Sequence, residues 1–288
     1  MKTLPSPKVF VEITKPRLVI LVLWSVAVGF LAAWEGPLDW GLLLKTLGGT
    51  TLVAAGSMAL NQYLEREGDG RMRRTENRPL PSRRMGPNTA LAFGILLATA
   101  GLFFLASAVN FLSAFLAAST LLIYLYAYTP LKRKTPWCTL VGAVPGAIPP
   151  MLGWAAVRGE LGVEAWSLFL ILFVWQVPHF YAIAWIYRED YARAGFQMLS
   201  VVDSSGEKIG RQIMIYSLLL CLASFLPALV GRSGLLYYLS ALLLGIWLLA
   251  SSLRTAFQLD SRSRVFFRNS VLYLALLLFF LILDRRPL

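Results

Sequence analysis

A helix that crosses a bilayer needs about 20 mostly apolar residues, and this 288-residue chain carries nine such stretches. They run over residues 18–34, 42–63, 89–109, 111–130, 137–156, 165–187, 212–230, 234–253 and 267–283. The pattern predicts an all-α polytopic membrane protein, with nine transmembrane helices packed around a central cavity. The spans take up most of the sequence, so residues 1–288 read as a single intramembrane domain. The very short connection at Asn110 predicts a tight antiparallel hairpin between the third and fourth spans.

Composition agrees. The chain is 57% hydrophobic and 15% charged, whereas a soluble domain is about 45–50% apolar and about 25% charged. The formal charge is nevertheless +12, from 27 Lys and Arg against 15 Asp and Glu. When the loops are numbered alternately, 22 of those 27 bases fall on one side of the membrane. This side holds the tail (Lys2, Lys8, Lys15, Arg17), residues 64–88, 131–136 and 188–211, and the expected loop at 254–268. By the positive-inside rule that face is cytoplasmic, which puts the N-terminus inside and the C-terminus outside. The charge is thereby explained without nucleic acid as a partner. Cys138 and Cys221 are far apart and His179 is the one histidine, so neither a disulfide framework nor a multi-histidine metal centre is expected. No cleavable leader is read at the start.

Chemistry concentrates where acids stand among those bases. Asn61, Glu65 and Asp69 are spaced by four and share one face if the second helix continues past Leu64. An amide and two carboxylates at the mouth of an apolar helix are expensive to place there. Such oxygen donors suit Mg²⁺, which takes one or two carboxylates together with substrate phosphates. Seven arginines lie at 66–84, among them Arg71, Arg74 and Arg78. Their planar forks fit phosphate oxygens. The alternative is a solvated loop whose internal salt bridges contribute little.

Two further segments stand out. Tyr128 and Lys132, followed by Arg133, end the fourth span, with Pro130 between them. An aromatic face can hold a cationic carbon and the bases an anionic leaving group; the alternative is an interfacial anchor. The sixth span carries Trp175-Gln176-Val177-Pro178-His179-Phe180 and runs on to Glu189 and Asp190. An ionisable residue inside a span is a functional candidate, although His179 also reads as a neutral histidine bonded to a neighbouring helix. Pro145, Pro149 and Pro150 predict a broken or kinked fifth span, and Pro178 predicts a loosened sixth.

Together these segments resemble the UbiA-type intramembrane prenyltransferases over nearly the whole chain, and within them the branch that acts on heme. The resemblance is carried by Asn61…Asp69 running into Met72-Arg-Arg-Thr-Glu-Asn-Arg-Pro-Leu80, by Tyr128…Lys132, by the segment around Pro145–Pro150, and by Trp175–Phe180 with Arg188–Gly195. Two departures are visible. Glu65 stands where the family has a middle aspartate, and only Glu189-Asp190 stands near the family's second aspartate pair.

The resemblance implies transfer of a farnesyl group from farnesyl diphosphate to a vinyl group of heme b, assisted by Mg²⁺. Asn61, Glu65 and Asp69, with Asp190, would hold the metal. Asn61, Glu65, Asp69, Tyr128 and Lys132 would carry catalysis, and Arg71, Arg74, Arg78, Lys132 and Arg133 the diphosphate. His179, Trp175 and Gln176 would face heme b, a substrate rather than a cofactor. The implied setting is a bacterial inner membrane, with the site toward the cytoplasm, lipid around it and a heme A synthase as onward partner. Three rivals remain open: a quinone-precursor or other tetrapyrrole acceptor, a heme-binding assembly protein, and a transporter of an organic anion. A transporter predicts polar residues deep in several spans, whereas these acids gather at the mouth.

Overall fold

A computed structural model describes residues 5–286; Lys2, counted above among the tail bases, lies outside them. Helix α1 is Pro7–Ile13, α2 Pro16–Ala33, α3 Trp40–Asp69, α4 Pro87–Ala108 and α5 Phe111–Leu122. A π-helical segment, Ile123–Tyr128, joins α5 to the short α6, Thr129–Leu131. Then follow α7 Cys138–Arg158, α8 Val163–Ile186, α9 Arg188–Arg193, α10 Leu199–Val202, α11 Glu207–Ala223, α12 Leu226–Leu229, α13 Leu235–Phe257 and α14 Leu259–Leu283. Among the described residues, nine helical segments are long and apolar enough to cross a membrane, with α5 through α6 and α11 through α12 each forming one of them.

The spans divide into two groups. α7 and α8 are the most buried and form the centre, whereas α4 and α13 turn most of their surface outward. That contrast is expected where the surrounding solvent is itself apolar, because peripheral helices then need no polar face. Close packing at the centre depends on small residues. A Cβ on Gly29 of α2 would lie 1.9 Å from the Pro150 carbonyl oxygen of α7, and one on Gly153 would lie 2.0 Å from that of Val26. The two backbones therefore touch. At the hairpin, the Asn110 side chain accepts from the Ser113 backbone N–H at 2.8 Å and donates to the Ala155 carbonyl at 2.8 Å. It caps α5 and ties the turn to α7.

Three local expectations change. α3 continues to Asp69, so its last two turns carry the acids on helix rather than loop. α14 begins at Leu259, and the expected loop at 254–268 is two helix ends joined at Gln258. α7 and α8 pass through their prolines without a break. Each proline removes one i→i−4 donor, and tight helix neighbours hold the remaining ladder in place. The π-helical segment Ile123–Tyr128 ends two residues before Pro130. Pro130 offers no N–H to Tyr126, and the ladder widens just before it. Thr129 Oγ1 donates to the Tyr124 carbonyl at 2.9 Å across the widened turn.

Candidate active site

The last turns of α3 bring Asn61, Glu65 and Asp69 to one buried strip, with exposures of 1%, 6% and 1%. Buried charge is retained only when paired, and each acid has its own base. Lys132 Nζ donates to Glu65 Oε1 at 2.7 Å, and Arg78 Nη1 reaches both oxygens of Asp69 at 2.7 Å. Asn61 is held from two sides. Its Nδ2 donates to Thr129 Oγ1 at 3.2 Å, and its Oδ1 accepts from Lys15 Nζ at 3.4 Å.

The widened turn before Pro130 places the aromatic part of the site. Despite the proline, Lys132 N–H bonds the Tyr128 carbonyl at 3.2 Å, which keeps the two side chains on one face. The Lys132 ammonium lies 4.4 Å from the centroid of the Tyr128 ring, a cation–π contact. Tyr124 packs beside it at 5.5 Å between ring centroids. On the far side, a Cβ on Gly142 would lie 2.6 Å from ring carbons of Tyr128, so glycine is what lets the ring sit there. Burial alone would lower the Lys132 ammonium, but Glu65 outweighs it and holds Lys132 well above the ordinary lysine value.

Sequence reasoning counted Lys15 only as a topological charge. Its backbone is left-handed, with φ at 50°, immediately before Pro16. That unusual conformation for a lysine accompanies a side chain that reaches Asn61. Burial, reinforced by Arg78, pushes its ammonium down to about 7 against the pull of Glu65 and Asp69. Tyr124 and Thr129 were missed as well. When Lys15 carries its proton, Lys15, Arg78 and Lys132 against Glu65 and Asp69 leave the cluster one positive charge in excess, and an anionic substrate beside Lys15 favours that protonated form.

Other predicted residues are placed elsewhere. Asp190 is bonded by Arg193 and by the Arg73 backbone N–H at 3.3 Å. Among the described residues, no three His, Cys, Asp or Glu side chains converge as metal ligands, and Asp190 is engaged by Arg193 and Arg73 while Glu65 and Asp69 are engaged by Lys132 and Arg78. Arg74 lies over the Tyr187 ring, 5.0 Å from its centroid, Arg71 is exposed, and Arg133 approaches Gly68. The segment after α9 folds back over the mouth. Gln197 N–H donates to the Lys132 carbonyl at 2.7 Å, and Phe196 is buried against Met72 and Cys138.

His179 lies on the face of α8 that meets α14. Its ring stacks between Trp175 and Phe267, with centroids at 4.6 and 4.7 Å, and Nδ1 is 2.8 Å from Ser270 Oγ. Ser270 donates to the Phe267 carbonyl at 2.8 Å. It therefore accepts from Nδ1–H, and Nε2 keeps its lone pair. Trp175 Nε1 donates to the Ser270 carbonyl at 2.7 Å. Gln176 turns instead to α7, donating to the Ala143 carbonyl at 3.1 Å, and a Cβ on Gly146 would meet its Oε1 at 1.9 Å.

The model of the UbiA prenyltransferase family matches residues 22–282. The chain belongs to the UbiA prenyltransferase family. It is 50% identical over 286 residues to the protoheme IX farnesyltransferase of Solibacter usitatus, covering 96% of this chain and 98% of that one. It is 43% identical to the enzyme of that name from Koribacter versatilis, covering 95% and 92%. The fold is similar to that of a digeranylgeranylglyceryl phosphate synthase, with a TM-score of 0.81 at 17% identity over 96% of this chain and 97% of that one. It is also similar to a UbiA homolog from Archaeoglobus fulgidus bound to DMAPP and Mg²⁺, with a TM-score of 0.66 at 18% identity over 95% and 98%. The family prenyltransferase is thus a helical integral membrane protein.

Proposed function

We propose that this protein transfers a farnesyl group from farnesyl diphosphate to a vinyl group of heme b, working as one intramembrane domain. The near full-length likeness to enzymes of that name carries the choice of heme as acceptor. The buried cluster of three bases on two carboxylates supports the choice of a diphosphate donor.

The donor set fits a hard cation: Asn61 Oδ1 and the carboxylates of Glu65 and Asp69 are the oxygen ligands Mg²⁺ prefers alongside phosphate. When bound there, the metal neutralises charge that develops on the leaving diphosphate. Lys132, Arg78 and Lys15 meet the phosphate oxygens, with Arg71, Arg74 and Arg133 at the rim. Tyr128 offers its ring face to the allylic carbon as its bond to oxygen breaks, the same face that now holds an ammonium. Phe196 and the segment after α9 exclude water until the vinyl carbon has bonded to the farnesyl carbon. Water then adds at the adjacent carbon and loses a proton, which leaves a hydroxyethylfarnesyl side chain.

His179 faces the acceptor, with Nε2 as its free nitrogen and Trp175 stacked beside it, while Gln176 meets the acceptor from the α7 side. The basic end of the bundle faces the cytoplasm of a bacterial inner membrane, and the product passes to a heme A synthase. The test is incubation of the purified protein in lipid with heme b, farnesyl diphosphate and Mg²⁺, with products read by mass. Farnesylated, hydrated heme is expected, and chelation of the metal should abolish it. No heme product, with prenylation of a quinone precursor instead, would overturn the reading.

A further inference from the structure

Away from the carboxylate strip, a cleft of about 170 Å³ opens between α13 and α14 at the basic end of the bundle. Its rim is Arg254, in the last turn of α13, and Arg262, in the first turns of α14. Both are exposed. Among the described residues, neither side chain has an ion pair or a hydrogen bond. Asp260, the acid nearest in sequence, is taken by Arg188 and by Trp185 Nε1, each at 3.1 Å. Two exposed guanidinium groups that line one cleft without a protein partner offer their fork donors to a bound anion.

The depth of the cleft says more about that anion. Trp247 and Asn269 each lie seven residues further into the bundle than the arginines, about 10 Å deeper along a helix. There Asn269 Nδ2 donates to Ser251 Oγ at 3.0 Å, so an amide and a hydroxyl form a polar floor inside an otherwise apolar span. The outer face of α13 beside the cleft is greasy, with Ile246, Leu253 and Phe257 exposed at 56%, 52% and 79%. A ligand suited to all three zones has an anion at the rim, polar ester atoms beneath it and a hydrocarbon tail alongside. A free ion would use the rim alone.

We infer that this cleft binds the headgroup of an anionic glycerophospholipid, with its phosphate between Arg254 and Arg262. Basic pockets between helices at a membrane surface hold lipid headgroups through the same charge pairing. Nothing in this site depends on the identity of the prenyl acceptor.

The experiment is native mass spectrometry of the full chain released from mixed bilayers of phosphatidylglycerol and phosphatidylcholine. The wild-type protein is expected to retain one phosphatidylglycerol in preference to phosphatidylcholine by about tenfold. The Arg254→Gln/Arg262→Gln variant should lose that preference while unfolding at the wild-type temperature. Asn269→Leu, which keeps both arginines, should weaken it. Equal retention of the two lipids by the wild-type protein overturns the proposal, and so does a preference that survives in the double variant. Displacement of the lipid by inorganic phosphate would mark a site for the free ion and overturns it equally.

Discussion

Glu65 and Lys132, 67 residues apart in the chain, meet at 2.7 Å in a largely buried ion pair that joins α3 to the end of the fourth span. Removing one partner from a buried pair costs about 3–5 kcal/mol, because the other charge is left without compensation, whereas replacing both with apolar groups is often neutral. Glu65→Met and Lys132→Met should each lower the unfolding temperature in detergent, and the double variant should recover most of the loss. All three should lower farnesyl transfer by about 100-fold or more, the scale of a lost electrostatic stabiliser. A double variant as unstable as the sum of the singles would show that the two residues are not coupled.

Arg78 supports a separate prediction about the donor. It holds Asp69 through both carboxylate oxygens and is itself only partly buried. Arg78→Ala should raise KM for farnesyl diphosphate by about tenfold, the effect of losing one charge-assisted contact. Arg78→Lys keeps the charge but loses the planar fork, so it should fall between the two. Lys15→Gln should act in the same direction, with KM for the diphosphate rising more than kcat falls. An unchanged KM in all three variants would remove these bases from the diphosphate site.

How much of this could be read beforehand depends on the range of the interaction. The spans and the Asn61–Glu65–Asp69 strip were legible because they follow from local periodicity, and α3 needed only about two more turns than its apolar run suggested. Tyr128 and Lys132 were legible as a pair because the proline between them leaves the bond between their backbones intact. Lys15 was not, since a tail lysine looks the same whether it sets topology or reaches Asn61 from 46 residues away. Pairing is likewise invisible in sequence. Nothing local assigns Arg78 to Asp69 while Arg84 goes to Glu12 at 2.6 Å. The break expected at the prolines of α7 is absent for the reverse reason. Their local effect is real, but close contact with α2 through Gly29 and Gly153 holds the helix together.

That contact can be tested with a matched pair of glycines. A side chain at Gly29 must displace the Pro150 carbonyl, whereas a Cβ on Gly48 in α3 meets nothing within 4 Å. Gly29→Ala should destabilise by about 1–3 kcal/mol, as overpacking does. Gly48→Ala should stabilise by up to about 1 kcal/mol, through helix propensity alone. Thermal unfolding in one detergent measures both. Equal shifts would show that the α2–α7 approach is looser than 1.9 Å implies.

Ser270 and His179 give the last prediction. Ser270 accepts from Nδ1–H at 2.8 Å and so fixes the tautomer that leaves Nε2 basic. A partner of this kind typically accounts for about 10–100-fold in the affinity of the ligand that its histidine binds. His179→Ala should therefore weaken heme b binding, followed by the Soret band, and reduce heme turnover while leaving KM for farnesyl diphosphate unchanged. Ser270→Ala should weaken heme binding less, and Ser270→Thr, which keeps the hydroxyl, should restore it. A loss confined to thermal stability, with the Soret titration unchanged in both His179→Ala and Ser270→Ala, would assign the pair to holding α8 against α14 instead. The conservative threonine separates these outcomes, because a packing role tolerates its added methyl poorly whereas a tautomer-setting role requires only its hydroxyl.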